Sequence, residues 1–217
     1  MIDFASRRRM MVDTQVRPSD VTEFPIIDAM LTVPREAFVP RDRVEVAYAG
    51  ENLPLGDGRV ILDPRTFAKM LETLDLGRKD LVLDIGMGLG YSSAVIARIA
   101  EAVVGLEDDE ERADEAQSLL AENDADNVVV QKGTLHEGAP QNGPYDAMII
   151  EGGIETFPDV LADQLKDGGR VVCLFMEGTL GTVRHGYKLD GRISWRFGFN
   201  ASAPIIAGFE KETAFAL

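Results

Sequence analysis

An α/β fold with a mostly parallel sheet is predicted by three observations. Five short apolar runs, Asp80–Ile85, Ala102–Glu107, Asn127–Lys132, Tyr145–Ile150 and Arg170–Phe175, follow one another from residue 79 onward, with helical segments between most of them. Runs of that kind and spacing are buried parallel strands joined by crossover helices. The first run leads directly into Gly86-Met87-Gly88-Leu89-Gly90, a turn whose glycines reach backbone conformations closed to other residues. Residues 1–78 lack the strand–helix alternation and form an N-terminal helical lobe, with 79–217 as the α/β core, so the 217 residues make one domain.

Taken in order, Phe24 to Leu31 is a helix preceded by Thr22 and Glu23, and it ends before Val33-Pro34 because a residue before proline leaves the α region. Leu53 to Leu62 reads as two extended pieces around an Asp57-Gly58 turn. Asp63 suits a helix N-cap and Pro64 the first helical position. Phe67, Met70, Leu71 and Leu74 then give that helix one apolar face, and Gly77 is expected to end it. In the core, helices are predicted over Ser92–Ala100, Glu110–Glu122 and Thr156–Leu165, with Gly168-Gly169 turning into the fifth strand. Thr182–Leu189 and Ile193–Asn200, joined by Asp190-Gly191, form a hairpin that gives the sheet an antiparallel end. Trp195, Phe197 and Phe199 alternate on one face of it, as core packing rather than a stacking stripe for a cofactor, and Ala203-Pro204 to Phe209 adds a last strand.

Composition narrows the function classes. With 37 acidic against 22 basic residues the formal charge is −15, which argues against nucleic acid and against anionic membrane surfaces as partners. Cys173, the only cysteine, lies in an apolar strand, so no disulfide forms within the chain, and a reducing cytoplasm is the expected location. His136 and His185 stand alone, without metal-ligand spacing. Arg7-Arg8-Arg9 is not followed by an apolar run, as a signal peptide would require, and no segment approaches the roughly twenty apolar residues of a membrane span.

The glycine turn points to a nucleoside-bearing cofactor, its amides aimed at whatever lies over the glycines. Its spacing is G-x-G-x-G rather than the G-x-G-x-x-G of dinucleotide binders. Asp84, two residues before the first glycine, would repel a pyrophosphate but attract the ammonium and sulfonium end of S-adenosylmethionine. Glu107 ends the next strand twenty-one positions after Gly86, where an acidic residue accepts ribose hydroxyls. Asp84, Gly86, Gly88, Gly90 and Glu107 are therefore the predicted cofactor residues, with Glu107 on the ribose, the glycines on the methionine moiety and Asp84 near its ammonium. A dehydrogenase is disfavoured.

On these residues the fold is a Rossmann-like methyltransferase, and the chain resembles the protein-L-isoaspartate O-methyltransferase family from about Arg7 to Val172. The carriers are Arg8-Arg9-Met10-Met11-Val12 with Gln15, Val33-Pro34-Arg35-Glu36-Ala37-Phe38-Val39-Pro40, Ala47-Tyr48, Leu53-Pro54-Leu55-Gly56-Asp57-Gly58, Leu83 to Tyr91, and Tyr145 to Ile150. The resemblance implies methyl transfer from S-adenosylmethionine to the α-carboxylate of isoaspartyl residues in damaged proteins. The ester then closes to a succinimide, which reopens partly to aspartate. It also implies that Thr134 and Leu135 flank the adenine and that Ile61, Leu62, Glu151 and Gly152 border the substrate. The departures from the family lie there. Where the family reads Gln-Thr-Ile-Ser-x-Pro, this chain has Arg59-Val60-Ile61-Leu62-Asp63-Pro64; Gly133-Thr134-Leu135 replaces Gly-Asp-Gly, and Glu151-Gly152-Gly153 replaces a small neutral run. Loss of the family serine at Leu62 predicts slow transfer, and Glu151 is expected to repel an anionic substrate. Two alternatives stay open: the same fold with a different substrate, and a cofactor-binding protein without turnover.

Overall fold

The computed structural model describes residues 3–211. The core is a seven-stranded sheet in the order β5-β4-β3-β6-β7-β8-β9. Its strands are β3 (Leu81–Ile85), β4 (Ala102–Glu107), β5 (Val128–Lys132), β6 (Tyr145–Ile154), β7 (Leu165–Glu177), β8 (Leu180–Leu189) and β9 (Arg192–Ala201). Neighbours from β5 to β7 run parallel, and β8 and β9 close the sheet antiparallel. The parallel strands are buried on both faces. Val82, Val103, Ala147, Ile149, Val172 and Leu174 pack on one side. The alternate residues Leu83, Ile85, Val104, Leu106, Met148, Ile150, Val171 and Cys173 pack on the other, as a period of two requires.

Helices α4 (Tyr91–Ala97) and α5 (Glu110–Glu122) return the chain from β3 to β4 and from β4 to β5, and α6 (Asp159–Gln164) leads into β7. The strand order reverses between β3 and β6, so the crevice beyond their C-terminal ends is where an open α/β sheet takes a ligand. Asp84 and Glu151 stand on these two strands, two register positions apart.

The N-terminal lobe comprises α1 (Phe4–Met11), a π-helical turn at Val12–Val16 that the sequence did not announce, and α2 (Phe24–Thr32). Arg8 pins it together, donating to the Tyr48 hydroxyl at 2.9 Å and to Glu36 at 3.0 Å, while Tyr48 donates to Glu36 as well. The predicted hairpin is present as β1 (Leu53–Gly56) and β2 (Arg59–Ile61), and Asp57 and Gly58 both take positive φ in its turn. Helix α3 (Pro64–Leu74) is capped by Asp63, whose carboxylate accepts from the Thr66 N–H at 2.9 Å. No described helix is long and apolar enough to cross a membrane.

Five details differ from expectation. Asp75, not Gly77, takes the left-handed position that ends α3, a conformation aspartate tolerates. Helix α6 starts only after Pro158, and β6 and β7 are longer than their apolar runs. The aromatic stripe on β9 does not keep to one face. Phe199 pairs with Val183 and Phe197 with Arg184, leaving Gly198 as an extra residue, and such a bulge turns the following side chain over. Trp195 packs edge-on to Phe157 and Phe175, Phe197 is exposed, and Phe199 lies under Arg65 and Lys69 of α3. Finally, Ala203 to Phe209 forms no strand. It makes one bridge, Ile205 to Gly153, and crosses the end of β6 as a strap whose Ile206 and Phe209 are buried.

Candidate active site

The residues that precede and follow the glycine turn are buried carboxylates. Asp84 lies wholly inside, on the face covered by α4, where its Oδ2 accepts from the hydroxyls of Ser92 and Ser93, each at 2.6 Å. Its Oδ1 has no partner. Burial pushes the Asp84 pKa up to about 6, against the lowering effect of the two serine hydroxyls. Gly86 and Gly88 have φ of +79° and +59°. A Cβ on Gly86 would fall 2.8 Å from Arg59 Nη2, and one on Gly88 2.6 Å from Leu55 Cδ1. The β1–β2 hairpin thus lies directly on the turn, and the positive φ at both positions favours glycine.

Glu107 is fully buried at the end of β4. The Arg59 guanidinium grips it with both Nη atoms, at 3.1 Å and 3.0 Å, and the Gly88 N–H donates to Oε2 at 2.9 Å. Arg112 Nε stands 3.2 Å from Oε1 as an ion pair, without hydrogen-bond alignment. Burial raises the Glu107 pKa, while Arg59 and Arg112 oppose that rise. Beyond Glu107 an open groove of about 520 Å³ runs along Asp108, Lys132, the exposed Thr134, the buried Leu135, His136 and Gly208.

On the other side of Gly86 the space narrows to about 10 Å³, bordered by Arg35, Ile61, Leu62, Tyr91, Ser92 and Glu151, room for about one water. Arg35 closes it from the lobe. It is completely buried, donates to the Ala47 and Leu62 carbonyls at 2.8 Å each, and stacks on the Tyr91 ring. Glu151 is buried here with Oε1 unpartnered; burial, and then the nearby Asp84 charge, push its pKa well above the usual carboxylate range. Arg35 Nη1 and the Tyr91 hydroxyl are also unpartnered. Orphaned buried groups of this kind call for a ligand or water.

These positions meet the needs of a nucleoside cofactor with a cationic amino-acid tail. The turn offers a floor without Cβ atoms, Glu107 sits at the strand end, and Asp84 Oδ1 is a buried acceptor with nothing bound to it. Asp84, Gly86, Gly88, Gly90 and Glu107 are brought together, and Thr134 and Leu135 border the adjoining groove. Ile61, Leu62 and Glu151 share the inner pocket, but Gly152 does not line it: its Cβ position lies 2.7 Å from Ile206 of the strap. Sequence reasoning missed Arg59, Arg35 and Arg112. Arg59 carried a signal as a new cation where the resembled family has glutamine, and Arg35 lay in the Val33-to-Pro40 run with no role assigned to it.

Fold and site together define a Rossmann-like methyltransferase. The particular family follows from a match of residues 6–185 to the model of the protein-L-isoaspartate(D-aspartate) O-methyltransferases, and the chain belongs to that family. A protein-L-isoaspartate O-methyltransferase of Roseiflexus sp. is 37% identical over 171 residues, covering 79% of this chain and 78% of the relative. Protein-L-isoaspartate O-methyltransferase 1 of Rhodopseudomonas palustris is 40% identical over 169 residues, 78% of this chain and 69% of the relative. Two solved structures share the fold. A protein-L-isoaspartate O-methyltransferase superposes with a TM-score of 0.82 at 24% identity, over 93% of this chain and 66% of its own. A β-aspartate methyltransferase of Plasmodium falciparum, solved with S-adenosyl-L-homocysteine, gives 0.78 at 17% identity, over 94% and 98%.

Proposed function

We propose that this chain is an S-adenosylmethionine-dependent carboxyl methyltransferase acting on isoaspartyl residues of damaged proteins. The observation that carries this reading is the pair of buried carboxylates, Asp84 and Glu107, on either side of a glycine floor in a chain of this family. Glu107 is assigned to the ribose, Gly86, Gly88 and Gly90 to the methionine moiety, Asp84 to its ammonium, and Thr134 and Leu135 to the adenine. When bound, the cofactor supplies an electrophilic methyl group. A substrate carboxylate is already ionised at neutral pH, so the protein has no proton to remove. Its tasks are placement, potentially worth roughly 7–11 kcal/mol for a well-aligned pair, and exclusion of water. The dry walls formed by Leu62, Val60 and Tyr91 suit the second task.

On this reading the chain is one methyltransferase domain, with residues 1–78 assigned to the lobe and 79–217 to the core. The net charge of −15 argues against a nucleic-acid substrate, and the single, buried Cys173 suits a reducing cytoplasm. One observation favours a second reading. Leu62 and Glu151 face the inner pocket where the resembled family has a serine and a small neutral residue, which fits a changed substrate or a cofactor-binding role without turnover.

Methyl-labelled S-adenosylmethionine separates these readings. The proposal expects label in an isoaspartyl peptide and none in its aspartyl counterpart. Binding of S-adenosylhomocysteine without transfer to either peptide would favour the second reading, and no cofactor binding at all would contradict both.

A further inference from the structure

We infer that Arg59 is an internal occupant of the cofactor site, holding the Glu107 carboxylate until the cofactor displaces it. The inference rests on the assignment of Glu107 to the ribose made above. A carboxylate offers about four lone-pair sites. Four hydrogen bonds fill Glu107, from Arg59 Nη1 at 3.1 Å and the Asp109 N–H at 3.3 Å to Oε1 and from Arg59 Nη2 at 3.0 Å and the Gly88 N–H at 2.9 Å to Oε2, and Arg112 adds an ion pair at 3.2 Å. Nothing remains for two ribose hydroxyls unless a donor leaves.

Arg59 is the donor that can leave. Gly88 and Asp109 donate from the backbone, and Arg112 sits on α5. Arg59 projects from a two-stranded hairpin outside the main sheet. Its Nη2 also occupies the space over Gly86, where a Cβ would come within 2.8 Å of it. Arg59 and a ligand approaching that backbone therefore compete for one volume as well as one carboxylate.

A second berth is in place. Arg59 Nη1 already donates to Asp108 Oδ1 at 2.7 Å, and the Asp108 side chain is 40% exposed at the mouth of the outer groove. A rotation outward keeps that ion pair and frees Glu107, which retains Arg112 and two backbone donors and so is not stranded as a bare buried charge.

An occupant of this kind lowers apparent affinity by the fraction of molecules in which it has withdrawn. Titration calorimetry with S-adenosylhomocysteine tests it on the full chain. Arg59→Gln should bind at least tenfold more tightly than the natural protein. Arg59→Lys, which keeps the charge but loses the two-pronged grip, should fall between them and carries the test if the glutamine variant does not fold. Equal or weaker binding by the variants, with the natural protein binding well, would overturn the inference and leave the proposed function standing. Absence of binding in all three would overturn both.

Discussion

Asp84→Asn should make the protein more stable at neutral pH while weakening its hold on the cofactor. Asp84 is fully buried, and its pKa rises from 3.8 to about 6, chiefly through burial. A carboxyl group with a raised folded pKa costs nothing below pH 3.8, where both states are protonated. As pH rises, the unfolded chain loses its proton first, so stability falls between about pH 4 and pH 6 and is flat above. At about 1.4 kcal/mol per pH unit the loss at pH 7 is about 3 kcal/mol. Asparagine does not titrate and can still accept from Ser92 and Ser93. Urea unfolding of both proteins at several pH values between 4 and 8 would show the variant gaining about 3 kcal/mol on the natural protein across the lower half of that range. Any constant offset from exchanging oxygen for NH2 cancels in the slope. A stability difference that does not change with pH would refute the assignment of Asp84 as a buried charge kept for function.

Glu107→Gln should weaken binding of S-adenosylhomocysteine in calorimetry, because the ribose hydroxyls lose an ionised acceptor. Leu62→Ser combined with Val60→Thr should speed transfer to isoaspartyl peptides, by at most about 3–4 kcal/mol of transition-state stabilisation. Leu62 is wholly buried, so melting should show a cost of about 3 kcal/mol for the emptied space; no gain in rate with cofactor binding intact would count against the serine argument. Glu151→Gln should abolish a loss of stability that sets in above about pH 4.5, since burial raises the Glu151 pKa. Because Glu151 is buried, any effect of this substitution on transfer should be insensitive to salt; a clear salt dependence would put the side chain in solvent.

How much of this was legible depends on whether a residue's role is local. The Asp57-Gly58 turn, the Asp63 cap with Pro64, and the strand leading into Gly86-Met87-Gly88 are set by neighbours in sequence and were read correctly. Asp84 and Glu107 were legible because their distance from the glycines fixes which strand end they occupy. Arg59 was not: its partner lies 48 residues away, and only the folding of the hairpin onto the turn brings the two together. Arg35 looked like a motif residue, but its role as a brace between Ala47 and Leu62 is tertiary. The strap from Ala203 to Phe209 has the apolar content of a strand, yet Pro204 cannot donate to a ladder and the chain turns at Ala207-Gly208. On β9 the single extra residue at Gly198 was enough to defeat the alternation rule.

The central claim is isoaspartyl methylation by a cofactor held between Asp84 and Glu107. Its most direct test is incubation of an isoaspartyl peptide with the natural protein and S-adenosylmethionine, followed by chromatography of the products over time. The account predicts slow, cofactor-dependent appearance of the methyl ester, then of succinimide and aspartyl peptide, and none of these with Glu107→Gln. An unchanged isoaspartyl peptide, from protein that calorimetry shows to be loaded with cofactor, would contradict it.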